Sequence, residues 1–158
     1  MALTDFLSDF QVVAEAPLPA FNDEGCLPAG DYQASREEFE RRFVVTGDRD
    51  RRASIYRGWD RHRRALIEAG LPDTARQLVD GSYTTNKESP GDIDIAVQVP
   101  MSGSAAMASL TPDHSIVRVL LGPAMKAAYF CDAYPVYSLP KDDPPLFVRN
   151  CWCNPVLD

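Results

Sequence analysis

The sequence has no Cys-x-x-Cys pair. Its four cysteines stand at 26, 131, 151 and 153, and the Cys151-x-Cys153 spacing is not the one structural zinc sites favour, which argues against zinc even with Cys26 or Cys131 as further ligands. No apolar run is long enough to span a bilayer. The most apolar later stretch, Ile116 to Met125, is broken by Arg118, Gly122 and Pro123. The first residues carry Asp5 and Asp9 and no early Lys or Arg, the wrong polarity for the leading part of a signal peptide. A cytoplasmic chain with reduced thiols is therefore expected. Positive charge is scarce too: 16 Lys and Arg against 23 Asp and Glu give a net charge of −7, which argues against non-specific nucleic-acid binding by the whole surface. There is no internal repeat and no second domain; 158 residues, 45% of them hydrophobic, suit one domain with its own core.

The positive charge that exists is concentrated. Seven arginines lie between Arg49 and Arg64, against Asp50 and Asp60. The spacing of Ile55, Trp59, His62, Leu66 and Ala69 predicts a helix from about Arg49 to Ala69, stopped by Gly70 and Pro72, with the arginines on its remaining faces. Those faces read either as solvated surface with arginine–acid pairs or as a strip for RNA phosphates or a pyrophosphate tail. His62, on the apolar stripe, reads as a core residue rather than a base.

Upstream, residues 1–34 form a lead-in. Leu3 to Val13 suits a short amphipathic helix, and Pro17, Pro19 and Pro28 with Asn22-Asp23-Glu24-Gly25 then force an extended path that wraps the domain or meets a partner. Ser35-Arg36-Glu37-Glu38 fits a capping box opening a short helix to about Phe43. Downstream, strands are predicted at Gln77–Asp80, Ile93–Val97 and Asp132–Tyr137. Ser102–Ser109 reads as a loop or weak helical turn, His114–Leu121 as strand or helix, and Pro123–Phe130 as a short helix with Pro123 in its first turn. The end of the chain is irregular, with Trp152 between two cysteines.

The chemistry concentrates between Leu78 and Val97. Asp92 and Asp94 flank Ile93 in an apolar run, and a strand's period of two puts both carboxylates on one face. Adjacent carboxylates on a buried strand repel unless a positive group, usually a divalent metal, lies between them. The plain alternative is an exposed strand edge with solvated aspartates. Gly81-Ser82 closes the preceding strand, where a glycine lets the backbone approach a phosphate and Ser82 adds a hydroxyl, or where both simply make a turn. Asp80 either adds charge to the site or caps that turn.

Gly81, Ser82, a loop, then Asp92, Asp94 and the apolar Ile95 resemble the signature of the nucleotidyltransferase superfamily, the polymerase-beta-like fold. The chain is most similar to small bacterial and phage proteins whose core reads Asp-Gly-Ser, loop, Pro-Gly-Asp-x-Asp; Leu27-Pro28-Ala29-Gly30 and Glu37-Glu38-Phe39 look like that group's lead-in. The resemblance covers roughly residues 25 to 140 and implies an α/β (α+β) domain at 35–140, a small mixed sheet flanked by helices, followed by an irregular tail at 141–158. It implies transfer of a nucleotidyl group from an NTP, with Mg²⁺ or Mn²⁺, to an RNA or protein acceptor, such as a tRNA, in a toxin–antitoxin or phage-defence setting. Two metals about 3.5–4 Å apart would be held by Asp92, Asp94 and a third acid, for which Asp132 is the candidate unless it merely begins a turn. Lys87 in the loop and Lys126 on the short helix are candidate phosphate contacts, though a loop lysine is commonly a solvated tip. Superfamily members often have a helical C-terminal domain that this sequence lacks, so a homodimer or partner protein completing the site is expected, with Phe147–Leu157 as its contact. The alternative is a catalytically degenerate binding or antitoxin-like subunit.

Overall fold

The computed structural model describes residues 12–13, 17–73, 75–100 and 113–138. Among them the fold is α+β: four α-helices and a three-stranded mixed sheet, with a small two-stranded pairing near the N-terminus. That pairing joins β1 (Val12–Val13) in parallel to β2 (Asp31–Tyr32). A helix is the expectation at Val12 and Val13; two adjacent β-branched residues suit the extended chain better. The rest of that predicted helix lies outside the described residues, as do Ser102–Ser109 and the Phe147–Leu157 tail.

The lead-in from Pro17 to Ala34 wraps the domain, with Leu18, Phe21, Leu27 and Ala34 packed on the core. Ser35 caps α1 (Arg36–Phe39), its hydroxyl accepting from Glu38 N at 3.1 Å. The capping box is only half made. The Glu38 carboxylate accepts instead from Leu18 N at 2.6 Å and so ties the lead-in to the helix. A π-helical turn, Glu40–Val44, carries the chain on and buries Phe43 against Phe39, ring centroids 4.9 Å apart.

Helix α2 (Arg49–Glu68) follows the expected span, with Asp48 accepting from Arg51 N at its start. Its buried stripe is Arg52, Ile55, Gly58, His62 and Leu66, while Trp59 is half-buried and donates to Gln77 Oε1. The expectation that the arginines lie on the faces away from the buried stripe fails at Arg52, which is 1% exposed. Its guanidinium donates to four main-chain carbonyls: Phe43 and Tyr83 (both 2.9 Å), Thr85 (3.0 Å) and Lys87 (2.5 Å). A planar fork with five N–H donors is the side chain able to satisfy so many converging acceptors. At Gly58 a Cβ would overlap the Tyr129 carbonyl oxygen and stand 2.8 Å from its carbon, so glycine sets how closely α2 meets the turn before the last strand.

Strand β3 (Gln77–Asp80) runs antiparallel to β4 (Ile93–Pro100). Strand β4 extends three residues past expectation, and its alternating Ile93, Ile95, Val97 and Val99 are buried in the core against which α2 packs. The connection from β4 carries α3 (Ser115–Arg118), a 3₁₀ turn at Pro123–Met125 and α4 (Lys126–Tyr129). The stretch at His114–Leu121, open to strand or helix from sequence, is thus a short helix. Phe130 takes a left-handed conformation (φ 55°) and turns the chain into β5 (Cys131–Ser138), which pairs in parallel with β4. Among the described residues, no helix is long and apolar enough to cross a membrane.

Candidate functional site

The register builds a row of carboxylates. Asp80 stands opposite Asp94 across β3 and β4, and Asp94 opposite Asp132 across β4 and β5. Directly opposed residues share a face of the sheet, so all three project from the side away from Ile93 and Ile95. Asp92 lies just before β4 rather than inside it, yet it joins the same group. Lys126 Nζ on α4 bridges Asp92 Oδ2 at 2.7 Å and Asp132 Oδ2 at 3.0 Å. Asp132 therefore begins no turn; it is strand-borne and 9% exposed. Its Oδ1 is buried without a hydrogen-bond partner.

This crowding has an electrostatic consequence. Asp94 is pushed up to about 6, first by burial, then by Asp92 and Asp132 beside it, with Lys126 opposing. Lys126 is held more strongly protonated than usual by its hydrogen bonds to Asp92 and Asp132. A carboxyl whose folded pKa exceeds its unfolded one of 3.8 contributes its full stability below about pH 4, and that contribution is lost as pH rises through about 6. Asp94→Asn should therefore match the wild type near pH 4 and exceed it at pH 8 by about 1 kcal/mol, a full shift discounted for a half-exposed group. Thermal unfolding at both pH values in EDTA checks this; an Asn variant less stable at pH 8 would contradict it.

Gly81 opens a 3₁₀ turn, Gly81–Thr84, directly after β3, with φ of 78°. A Cβ there would overlap Asp94 Oδ2 and stand 2.7 Å from Cγ. Thr84 Oγ1 donates to Gly81 O at 3.0 Å and Thr85 Oγ1 to Ser82 O at 2.8 Å, fixing the turn. The Gly81-Ser82 turn and the Asp92–Asp94 pair are thus brought together. Lys87 is not brought in: it is exposed, and among the described residues no ion pair joins it to the carboxylates. His62 is the core histidine expected of it, Nε2 2.6 Å from Val119 O and edge-on to Tyr129, with burial lowering its pKa. Cys131, although next to Asp132, is pushed up to about 12 by burial and is no nucleophile.

Sequence reasoning missed two features of the site. One is the salt-bridged position of Lys126, which has no local signal because Asp92 is 34 residues away. The other is Arg51, whose Nε donates to Pro90 O at 3.1 Å and whose Nη2 donates to Gly91 O, holding the segment that delivers Asp92.

The donors fit a hard divalent cation in kind. They are all carboxylate oxygens, the class Mg²⁺ and Mn²⁺ prefer, and the orphaned Asp132 Oδ1 is an acceptor in want of a positive neighbour. Among the described residues no three such side chains close around a common point as they stand, since Asp92 and Asp132 converge on the Lys126 ammonium.

Residues 19–154 match the model of a family of unknown function, DUF6932. The chain belongs to that family. No curated protein and no solved structure matches it. The DUF6932 match takes in all six positions that converge here: Asp80, Gly81, Asp92, Asp94, Lys126 and Asp132. It begins within the lead-in that packs on the core, so the wrapped segment from residue 19 belongs to the family unit.

Proposed function

We propose that the protein binds a nucleoside triphosphate with Mg²⁺ or Mn²⁺ at Asp92, Asp94 and Asp132 and transfers its nucleotidyl group to an RNA or protein acceptor, in the cytoplasm where such nucleotides are at hand. The observation that carries this reading is the register, in which a glycine–serine turn ends one strand against a carboxylate row running over the next two. A divalent cation bound there would neutralise charge on the phosphates. The chain's own residues supply the rest. Gly81 leaves room for the Asp94 carboxylate to lie against the turn, Ser82 offers a hydroxyl to a phosphate oxygen, and a carboxylate of the row can take the proton of an attacking hydroxyl.

Calorimetry of each NTP with Mn²⁺, wild type beside an Asp92→Ala/Asp94→Ala variant, tests this. The expected result is binding that needs the metal and falls about a hundredfold or more in the double variant. Equal binding by both proteins would overturn the proposal. The competing reading is a binding subunit without catalysis, and the ammonium already neutralising Asp92 and Asp132 favours it. Metal-dependent nucleotide binding with no transfer of label to RNA or protein would select it.

A further inference from the structure

Two charges cannot share the place that Lys126 fills. Its Nζ lies 2.7 Å from Asp92 Oδ2 and 3.0 Å from Asp132 Oδ2, whereas a divalent cation of the magnesium class would sit about 2.0–2.1 Å from the same oxygens. Cation and ammonium would then lie within about 4 Å of one another, and charges of two and one so close repel strongly in a half-buried site. The lysine is the group that can leave. Its side chain is 46% exposed, carried on a flexible stem from the one-turn helix α4, whereas Asp132 is strand-borne and nine-tenths buried. The unpartnered Asp132 Oδ1 shows that one ammonium does not saturate the cluster, which has acceptor capacity for more positive charge.

We propose that Lys126 is a built-in stand-in for the cation: its ammonium closes the cluster in the resting protein, a divalent cation displaces it from Asp92 and Asp132, and the freed ammonium then meets the phosphates of the incoming nucleotide. The inference rests on the metal-dependent reading above. It makes cation binding an exchange rather than an addition and holds the like charges of the resting site together.

Titration of the full chain with Mn²⁺ alone, by calorimetry, tests it on wild type, Lys126→Met and Lys126→Gln. Both variants remove the charge; methionine keeps most of the stem and glutamine a polar tip, so the test survives one of them folding poorly. The expected result has three parts. The variants bind Mn²⁺ about tenfold tighter than wild type. They melt at lower temperature than wild type in EDTA, and Mn²⁺ restores them. With Mn²⁺ saturating, they bind NTP several-fold more weakly. Mn²⁺ affinity equal to or lower than the wild type's would overturn the exchange and leave the metal site standing. Absence of Mn²⁺ binding in all three proteins would overturn the metal-dependent reading itself, and the exchange with it.

Discussion

Replacing Gly81 by alanine is expected to cost about 2–3 kcal/mol of stability and to remove the proposed cation and nucleotide binding together. Two costs add. The backbone at Gly81 is left-handed, φ 78°, which a residue with a Cβ adopts at about 1–2 kcal/mol. The new methyl group would also overlap the Asp94 carboxylate. Asp94 has little room to yield, because Asp80 stands opposite it on one side and Asp132 on the other. It must leave its rotamer, at about 0.5–1.5 kcal/mol, and in doing so abandons the row. A double-mutant cycle separates the two costs. In an Asp94→Ala background the overlap with the carboxylate is gone, and the backbone cost remains together with a tight 3.1 Å approach to the Cβ of residue 94, so Gly81→Ala should be milder there by about 1 kcal/mol. Urea unfolding of the four proteins measures it. Equal cost in both backgrounds would show that the glycine answers only to the backbone and not to the carboxylate.

The second large effect is expected at Arg52. Its replacement by methionine keeps an apolar stem but leaves the buried carbonyls of Phe43 and Tyr83 and the partly buried ones of Thr85 and Lys87 without their donor. Each buried unsatisfied acceptor costs about 1–3 kcal/mol, partly relieved when water enters, so a loss of about 3–5 kcal/mol is expected. Arg52→Lys should recover less than half, because one ammonium cannot fork to acceptors on two separate segments. Loss of the arginine should also loosen the main chain at residues 83–87, immediately after the Gly81-Ser82 turn. Denaturant unfolding gives the first quantity and hydrogen exchange at the amides of that segment the second. A cost below about 1 kcal/mol would mean that the four carbonyls find other partners.

These two residues also mark where the sequence could and could not be read. Gly81 and the aspartates were legible because their placement depends on local rules: a glycine ending a strand, a period of two, and neighbouring strands that share a face. The span of α2 was legible for the same kind of reason, with Asp48 before it and Gly70 and Pro72 after it. Arg52 was not legible, because an arginine among seven looks like surface until the carbonyls from elsewhere in the chain are in place around it. Glu38 looked committed to its own cap but is taken by Leu18 N, twenty residues away. Lys126 was a candidate for phosphate, and its resting partners, two acids from other elements, appear only when β4 and β5 are aligned. Each of these three misses is a polar side chain whose partner is set by tertiary contact, whereas Gly81 and the span of α2 are set by neighbours in sequence.

The parallel pairing of β4 with β5 has a consequence in time as well as in space. The β3–β4 hairpin is local and brings Asp80, Gly81, Asp92 and Asp94 together early, whereas β5 must close a connection of some thirty residues before Asp132 and Lys126 arrive. A chain emerging from the ribosome and halted before Lys126 holds Asp80, Asp92 and Asp94 without the ammonium that pairs with Asp92 and without Asp132. The complete carboxylate cluster is thereby a mark of the finished fold: only a chain that has made its last strand pairing presents it.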